Sequence, residues 1–175
     1  MIAKTLITFS ELLDDYLKRV FSLNESIVLL QPAVNNSASQ LPDNKLHVFL
    51  ANIVRETAGG IACSRQQVSY KEQKTSQPVW KLNLYVMIAA CFNGKQYEMA
   101  LHSISAVSAF LQANSHFHLP ETNTTIQIEP VSLASNELSN LWSIYGNQYY
   151  PSLFCLMRNI LIDSAEIQKF GKIIQ

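Results

Sequence analysis

Two histidines separated by one residue, His116 and His118, are the side chains most suggestive of chemistry in this chain. Imidazole nitrogens are common zinc ligands, so the pair could supply two of the three or four protein ligands that a zinc site requires. No HExxH pattern, neighbouring cysteine or carboxylate cluster supplies the remaining ligands. We therefore predict no metal site, and we interpret the segment before Pro120 as a solvated or interface loop. His47 and His102 occur singly and are interpreted as structural histidines.

The three cysteines, Cys63, Cys91 and Cys155, do not form a recognisable site either. Their odd number and the absence of a CxxC spacing exclude a zinc ribbon and a complete disulfide framework, and they fit a reducing compartment. Cys91 and Cys155 fall inside apolar segments that predict strands, where a thiol behaves as a small buried hydrophobe. We expect both thiols to be inert packing groups.

The adjacent glycines Gly59 and Gly60 could suggest a phosphate-binding loop, but neither GxxxxGK[S/T] nor GxGxxG is present. The patterns GxSxG and SxxK and the protein-kinase signatures are also absent. We predict that the protein is not an enzyme and needs no cofactor. The alternative is a small ligand-binding domain or an enzyme with a dispersed site, in which His116 and His118 would be the visible polar groups.

Composition narrows the remaining classes of protein. The 175 residues are 48% hydrophobic and 15% charged, with a formal net charge of zero. This composition excludes intrinsic disorder and is sufficient for one globular core. A neutral chain lacks the excess of Lys and Arg that phosphate binding needs, so nucleic acid is not expected as a partner.

The longest uncharged run, residues 99–120, is too polar to span a membrane. No signal peptide is recognised either, so a cytoplasmic location is expected.

The periodicity of the apolar residues predicts the elements that would position any site. Spacings of three and four predict helices over residues 6–20 and 95–114, and from an N-cap at Ser132 to Gly146. Alternation and short apolar runs predict strands over residues 27–30, 46–55, 80–92, 125–129 and 153–162. The second of these strands is apolar at both alternations and is expected to be covered on both faces.

These elements predict an α+β (mixed α/β) fold in a single domain over residues 1–162. We expect a mixed sheet of roughly five strands packed with about three helices. A C-terminal tail, residues 163–175, follows the last strand.

Charge is absent from segments where a solvent-facing surface normally carries it. Most of the second predicted helix, from residue 99 onwards, lies in a charge-free segment between Glu98 and Glu121. Its expected core stripe consists of Tyr97, Ala100, Leu101, Ile104, Val107 and Leu111. The opposite side holds Met99, His102, Ala106, Ala109, Phe110 and Ala113. Small and aromatic uncharged residues are typical of an interface core, so we predict a protein interface here, the alternative being a helix sandwiched inside its own domain.

Two further segments are candidate interfaces. The long loop over residues 56–78 is locally basic, and we predict that an acidic partner surface is contacted by Arg65, Lys71 and Lys74. The alternative for this loop is a solvated segment. The tail carries four apolar residues on no predicted core face: Ile167, Phe170, Ile173 and Ile174. We expect it either to dock on its own subunit or to be donated to a neighbour as a strand or helix.

The order of the segments between residues 4 and 162 resembles a known family. An amphipathic helix is followed by the strand end Asn-Ile-Val-Arg-Glu (52–56), the strand Trp-Lys-Leu-Asn-Leu-Tyr-Val (80–86), the helix start Tyr-Glu-Met-Ala-Leu (97–101) and the run Tyr-Tyr-Pro-Ser-Leu (149–153). The pattern is similar to the tail-terminator or cap family of phage-tail-like contractile injection systems. The similarity is to the N-terminal domain of the cap protein of virulence-cassette and antifeeding particles.

The resemblance implies a tail-terminator-like fold and a structural function. It implies a homo-oligomer, in the form of a hexameric ring on the distal end of the inner tube and sheath, that stops their polymerisation and seals the particle. The implied partners are the inner tube protein and the sheath protein. Assembly is expected in the cytoplasm of the producing bacterium, with incorporation into a phage-tail-like particle.

Overall fold

A computed structural model describes residues 1–32, 44–56, 80–120, 122–145 and 148–162 of the chain. The helices are α1 (Ile2–Phe21), α2 (Tyr97–Ala113) and α3 (Ser135–Ile144). The strands are β1 (Val28–Leu30), β2 (Lys45–Arg55), β3 (Trp80–Cys91), β4 (His116–Leu119), β5 (Thr124–Pro130) and β6 (Ser152–Ile162).

The strands of the described residues form one six-stranded sheet in the order β1-β2-β3-β6-β5-β4. β1 is parallel to β2, and all the other neighbouring strands are antiparallel. The predicted α+β fold with a mixed sheet is confirmed, and the sheet has one strand more than expected.

The additional strand is β4, which lies where the sequence was interpreted as a loop before Pro120. His116 and His118 are exposed on one side of β4, whereas Phe117 is half-buried and Leu119 is buried on the other. A strand of four residues gives only two apolar positions, which is too few for a period of two to be recognised. Pairing with β5, rather than local sequence, makes this segment a strand.

α1 packs against one face of the sheet through four buried side chains: Leu6, Phe9, Leu13 and Leu17.

The buried carboxylate of Asp14 on α1 binds the segment that leads from this helix into β1. Asp14 Oδ1 accepts hydrogen bonds from the backbone N–H groups of Ile27, at 2.8 Å, and Val28, at 3.0 Å. Asp14 Oδ2 accepts from Ser26 Oγ, at 2.9 Å, and lies 2.7 Å from Lys18 Nζ.

Burial raises the pKa of Asp14, but the opposing effects of the hydrogen bonds from Lys18, Val28, Ser26 and Ile27 outweigh it and hold this pKa below its ordinary value. The ionised carboxylate is therefore the form that joins α1 to the start of β1.

The larger core lies between this sheet face and the helices α1 and α2. Strand residues Leu46, Val48, Leu84, Val86, Ile88, Ile126, Ile128, Cys155, Met157 and Ile160 contribute to it. The centre of the helical layer is aromatic, because the ring of Phe110 on α2 lies 6.3 Å from Phe9 and 5.2 Å from Tyr16 on α1.

A smaller core lies on the opposite sheet face, beneath α3. Trp142 is buried against sheet residues that include Phe49 and Met87, and its ring makes an edge contact with Tyr150 at 5.8 Å. α3 begins at Ser135, because the Glu137 carboxylate accepts a hydrogen bond from the N–H of Ala134 at 2.9 Å. The prediction of an N-cap at Ser132 is therefore wrong by two residues. The helix ends at Ile144, and the predicted end, Gly146, lies outside the described residues.

The second half of β2 is less covered than predicted. Residues 46–49 are buried, but residues 52–55 are exposed. Within the described residues no helix covers this end of the sheet, so the expectation of a strand covered on both faces holds only for the first half.

Candidate assembly interface

The geometry of α2 decides which of the predicted interface residues reach the surface. The helix is preceded by a short 3-10 turn, Gly94–Gln96, in which Asn93 Oδ1 accepts hydrogen bonds from the N–H groups of Lys95 and Gln96, both at 3.1 Å. This turn leads directly into α2, which begins at Tyr97. The buried residues of the helix are Ala100, Ser103, Val107, Phe110 and Leu111.

This rotation corrects the residue assignment made from the sequence. Phe110 is only 7% exposed and belongs to the core of its own subunit, not to the outer face. Met99 and Ala106 are half-buried against the same core. Tyr97 and Leu101, predicted to be core residues, are instead 52% and 46% exposed.

A buried serine explains the difference. Ser103 is fully buried because its hydroxyl donates a hydrogen bond to the carbonyl oxygen of Met99 at 2.8 Å. A helical serine whose hydroxyl is paired with the preceding turn can face a core at little cost. The sequence analysis assigned Ser103 to neither side of the helix, and the core stripe that it predicted is rotated relative to the observed buried side.

The exposed residues of α2 form what we call the α2 outer face: Tyr97, Glu98, Leu101, His102, Ser105, Ser108, Ala109, Gln112 and Ala113. Three of the predicted interface residues lie on it: His102, Ala109 and Ala113. Glu98 is the one charged residue of this exposed set, and its Oε1 lies 3.7 Å from His102 Nε2 at the N-terminal end of the helix. The rest of the face is without formal charge.

The two serines of the α2 outer face are suited to removal from water. Ser105 Oγ donates to the carbonyl oxygen of Leu101, and Ser108 Oγ donates to that of Ile104, both at 2.9 Å. Covering these hydroxyls leaves no unpaired donor, and an unpaired buried donor is what makes the burial of a polar group costly. The face therefore combines low charge with satisfied hydroxyls, as the core of a protein interface does.

His116 and His118 do not form part of a metal centre in the described structure. His116 Nδ1 hydrogen-bonds with Ser115 Oγ at 2.9 Å, and His118 Nε2 hydrogen-bonds with Asn123 Oδ1 at 3.0 Å. Among the described residues there is no group of three or more His, Cys, Asp or Glu side chains that could hold a metal ion. His47 is buried and its Nε2 lies 3.3 Å from Gln31 Nε2, as expected for a structural histidine.

The two described cysteines, Cys91 and Cys155, are buried in the sheet, as predicted. Burial raises the pKa of the Cys155 thiol to about 12. Because the thiolate is the nucleophilic form, this thiol is unsuited to covalent chemistry at neutral pH.

Two surface depressions in the described part of the molecule were considered as candidate ligand sites. A groove of about 380 Å³ runs along α3 and is lined by Ser135, Leu138, Ser139, Trp142, Ser143 and Tyr149. A smaller one of about 140 Å³ lies where α1 and the end of α2 meet β4, and its lining includes Tyr16, Arg19, Asn114 and His116. Neither brings together a nucleophile, a base and an oxyanion donor, which is the arrangement that acyl-transfer sites require.

An apolar surface that the sequence analysis missed lies at one end of the sheet, where β2 and β6 end and β3 begins. We call it the sheet tip, and its exposed apolar residues are Ile53, Val54, Trp80 and Leu161. The guanidinium of Arg55 lies 4.6 Å from the centre of the Trp80 ring. Trp80 alternates with Lys81 at the start of the predicted strand, and this alternation alone does not show that the core ends before Trp80.

Arg65, Lys71 and Lys74 of the basic loop, Phe170 and Ile173 of the tail, and Cys63 all lie outside the described residues. Among the described helices, none is long and apolar enough to cross a membrane.

A comparison with protein families establishes the relationship of the chain. The Pvc16 N-terminal domain matches residues 7–175, which includes all the described strands. The chain belongs to the Pvc16 N-terminal domain family. The predicted resemblance to the tail-terminator and cap family is therefore confirmed. No curated protein sequence matches the chain.

Two solved structures are similar to this member of the family. One is the sheath/tube terminator of an extracellular contractile injection system, PVC, in the extended state, with a TM-score of 0.57 and 15% identity over 94% of this chain and 57% of that chain. The other is the tube-terminating cap of the anti-feeding prophage, with a TM-score of 0.43 and 18% identity over 75% of this chain and 50% of that chain. The chain thus spans little more than half of the first structure and half of the second. The first match confirms the predicted fold class.

Proposed function

We propose that the protein is a structural cap subunit that sits on the distal end of the inner tube and sheath of a contractile injection system and stops their polymerisation. The observation that carries this proposal is the family match over residues 7–175. The solved structure with the same fold, which is a sheath/tube terminator, supports it. A cap acts through surfaces and needs no catalytic group or cofactor.

The proposed cap is a closed homo-oligomer, a hexameric ring assembled in the cytoplasm of the producing bacterium. Neighbouring subunits contact each other through the α2 outer face. The low charge of this face and the internally paired hydroxyls of Ser105 and Ser108 support this assignment. In a cyclic ring the same contact recurs at every junction, so one interface determines the whole assembly.

The proposed partners of the ring are the inner tube protein and the sheath protein. Arg65, Lys71 and Lys74 are concentrated in one segment of a chain with zero net charge, which supports a contact with an acidic surface of one of these partners. Peripheral charges of this kind act mainly on association rate and salt sensitivity. Replacing all three by serine is expected to slow capping at raised salt without altering the fold. An unchanged tube-length distribution at raised salt would contradict this contact.

Electron microscopy of particles from cells that lack the protein tests the proposed function. We expect tubes and sheaths without a defined length or a sealed distal end, and restoration of both by the wild-type chain. A chain with His116→Ala and His118→Ala serves as a control, because a structural cap does not depend on these side chains. Particles of normal length and sealing in the deletion strain would contradict the proposal. Loss of complementation by the histidine variant would instead favour the ligand-binding alternative.

A further inference from the structure

A pocket at the end of α2 matches one aromatic side chain in volume. It is the depression of about 140 Å³ where α1 and the end of α2 meet β4, and we call it the α1–β4 pocket. Its lining includes three phenylalanines, and the ring of Phe9 lies 5.8 Å from that of Phe117 and 6.3 Å from that of Phe110. Because an apolar protein cavity of about 150 Å³ accepts benzene, one further ring can be held here at ordinary aromatic spacing.

The lining of the α1–β4 pocket also includes a cation, Arg19. Arg19 Nε donates a hydrogen bond to the carbonyl oxygen of Asp15 at 3.1 Å, and no carboxylate of the described residues forms an ion pair with the guanidinium. An arginine in this state is a strong hydrogen-bond donor for a carboxylate. The pocket therefore suits a ligand that carries an aromatic ring beside a carboxylate.

The chain itself carries such a group. The strongly exposed aromatic side chains of the described structure are Trp80, Tyr97 and Tyr149. Tyr97 is followed by an exposed carboxylate, Glu98, whereas Trp80 is followed by a lysine and Tyr149 has neutral neighbours. Tyr97 and Glu98 both lie on the α2 outer face, so the charge and the ring that the pocket suits are already at the proposed interface between copies.

The length of α2 requires this contact to be between two copies. The helix from Tyr97 to Ala113 has 17 residues, so it is about 25 Å long, and the pocket lies at its far end. A tyrosine side chain cannot span that distance, so Tyr97 cannot fill the pocket of its own subunit. Two different surfaces at opposite ends of one helix make a head-to-tail contact, which is the type that a cyclic ring requires when it has more than two subunits.

We propose that Tyr97 and Glu98 of one copy bind the α1–β4 pocket of the next copy. The Tyr97 ring packs against the phenylalanines of the pocket, and the Glu98 carboxylate pairs with Arg19. This inference rests on the proposed function, in which copies associate through the α2 outer face, and it names the surface that this face meets. Only the C-terminal end of α1 takes part in the contact.

Exchange of the two charges tests the contact. In cells that lack the native gene, one chain carries Glu98→Arg and a second carries Arg19→Glu. Expressed alone, each chain places like charges at every junction, and we expect the capping of particles to fall by about tenfold. Expressed together, the two chains can alternate around a ring with opposite charges at every junction. We then expect capping to be restored and the two differently tagged chains to be present in equal amounts.

The outcomes separate this contact from the cap function. Thermal melting checks that both variants fold, and Lys4→Glu, a charge reversal at the other end of α1, serves as the control that should cap normally. Normal capping by either single variant overturns the contact while leaving the cap function intact. So does a failure of the two folded variants to restore capping together. Particles that are normal without the protein would instead contradict the cap function itself.

Competition between chains tests the insertion of the Tyr97 ring separately. A variant and the wild-type chain, with different tags, are expressed together at equal levels, and their ratio is measured in purified particles. Tyr97 is 52% exposed in the subunit, so its replacement should leave the fold intact. We expect Tyr97→Ala to be under-represented by about tenfold, because it loses the burial of an aromatic ring, and Tyr97→Phe to be present at nearly the wild-type level. Equal representation of both variants would contradict insertion of the ring.

Discussion

α1 and α2 lie on the same face of one sheet and pack against the same core, but their exposed sides differ in charge. The exposed residues of α1 are Ala3, Lys4, Ile7, Glu11, Leu12, Asp15, Arg19 and Val20, so half of them are ionisable. The exposed residues of α2 include one carboxylate, Glu98, and no lysine or arginine. A helix that faces water normally carries charge, so the two helices are expected to have different neighbours in the assembled protein.

The polar groups of the two helices also have different functions. On α1 they hold the subunit together, because Asp14 binds the start of β1 and Lys18 binds Asp14. On α2 the serine hydroxyls are bound within the helix and fix nothing outside it. Asp14 of α1 therefore joins two elements of the same subunit, whereas the hydroxyls of Ser105 and Ser108 are bonded within α2 itself.

The largest effect on the subunit itself is expected from Asp14→Ala. The substitution leaves the buried N–H groups of Ile27 and Val28 without their acceptor, and each unpaired buried donor costs about 1–3 kcal/mol. The free energy of unfolding, measured by urea denaturation, should fall by about 2–6 kcal/mol. Asp15→Ala, an exposed neighbour on the same helix, should change it by less than about 0.5 kcal/mol. Equal effects of the two substitutions would show that α1 is not anchored through Asp14.

The same carboxylate predicts a pH dependence of stability. The folded-state pKa of Asp14 is lowered, so its contribution is fully present above the unfolded-state value of about 3.9 and is lost as the pH falls through the folded-state pKa. The difference in free energy of unfolding between the wild type and Asp14→Ala should therefore be constant at neutral pH and shrink under acid conditions. A difference that grows on acidification would contradict the ionised state of Asp14.

The smallest effect is expected at the N-terminus of α1. The first turn of α1 contains no acidic residue, and Ala3 is exposed there. Ala3→Glu should stabilise the subunit by about 0.3–1 kcal/mol, because a carboxylate interacts favourably with the N-terminal end of a helix. It should leave capping unchanged, because this end of α1 faces solvent in this account. Loss of capping by a folded Ala3→Glu variant would remove the distinction between the two helices.

The elements with strong periodicity could be predicted from the sequence. The long strands β3 and β6 and the helix α2 were located correctly, because each has enough apolar residues to define a period. β4 could not be predicted in this way. Its four residues are a strand only because β5 provides the pairing partner, and that information is not local.

The candidate interface could be predicted only in part. The low charge of α2 is visible in the sequence, and it led to the prediction that one side of this helix is an interface. Of the residues assigned to that side, His102, Ala109 and Ala113 are exposed. The rotation of the helix was not predicted correctly; Ser103 lies on the buried side with its hydroxyl bonded to the carbonyl oxygen of Met99, which composition does not show. The exposure of the second half of β2 was also missed, because it depends on which other elements lie beside and over these residues.

Substitution of Ala109 on the α2 outer face tests the account most directly. In cells lacking the native gene, chains with Ala109→Glu and Ala109→Ser are compared for the length distribution and distal sealing of the particles, and their folding is checked by thermal melting. We expect Ala109→Ser to restore capping. Ala109→Glu should fold normally and fail to cap, because an unpaired carboxylate in a closed interface costs about 3 kcal/mol or more, which is over a hundredfold in association. Normal capping by Ala109→Glu would show that the α2 outer face is free in the assembled cap.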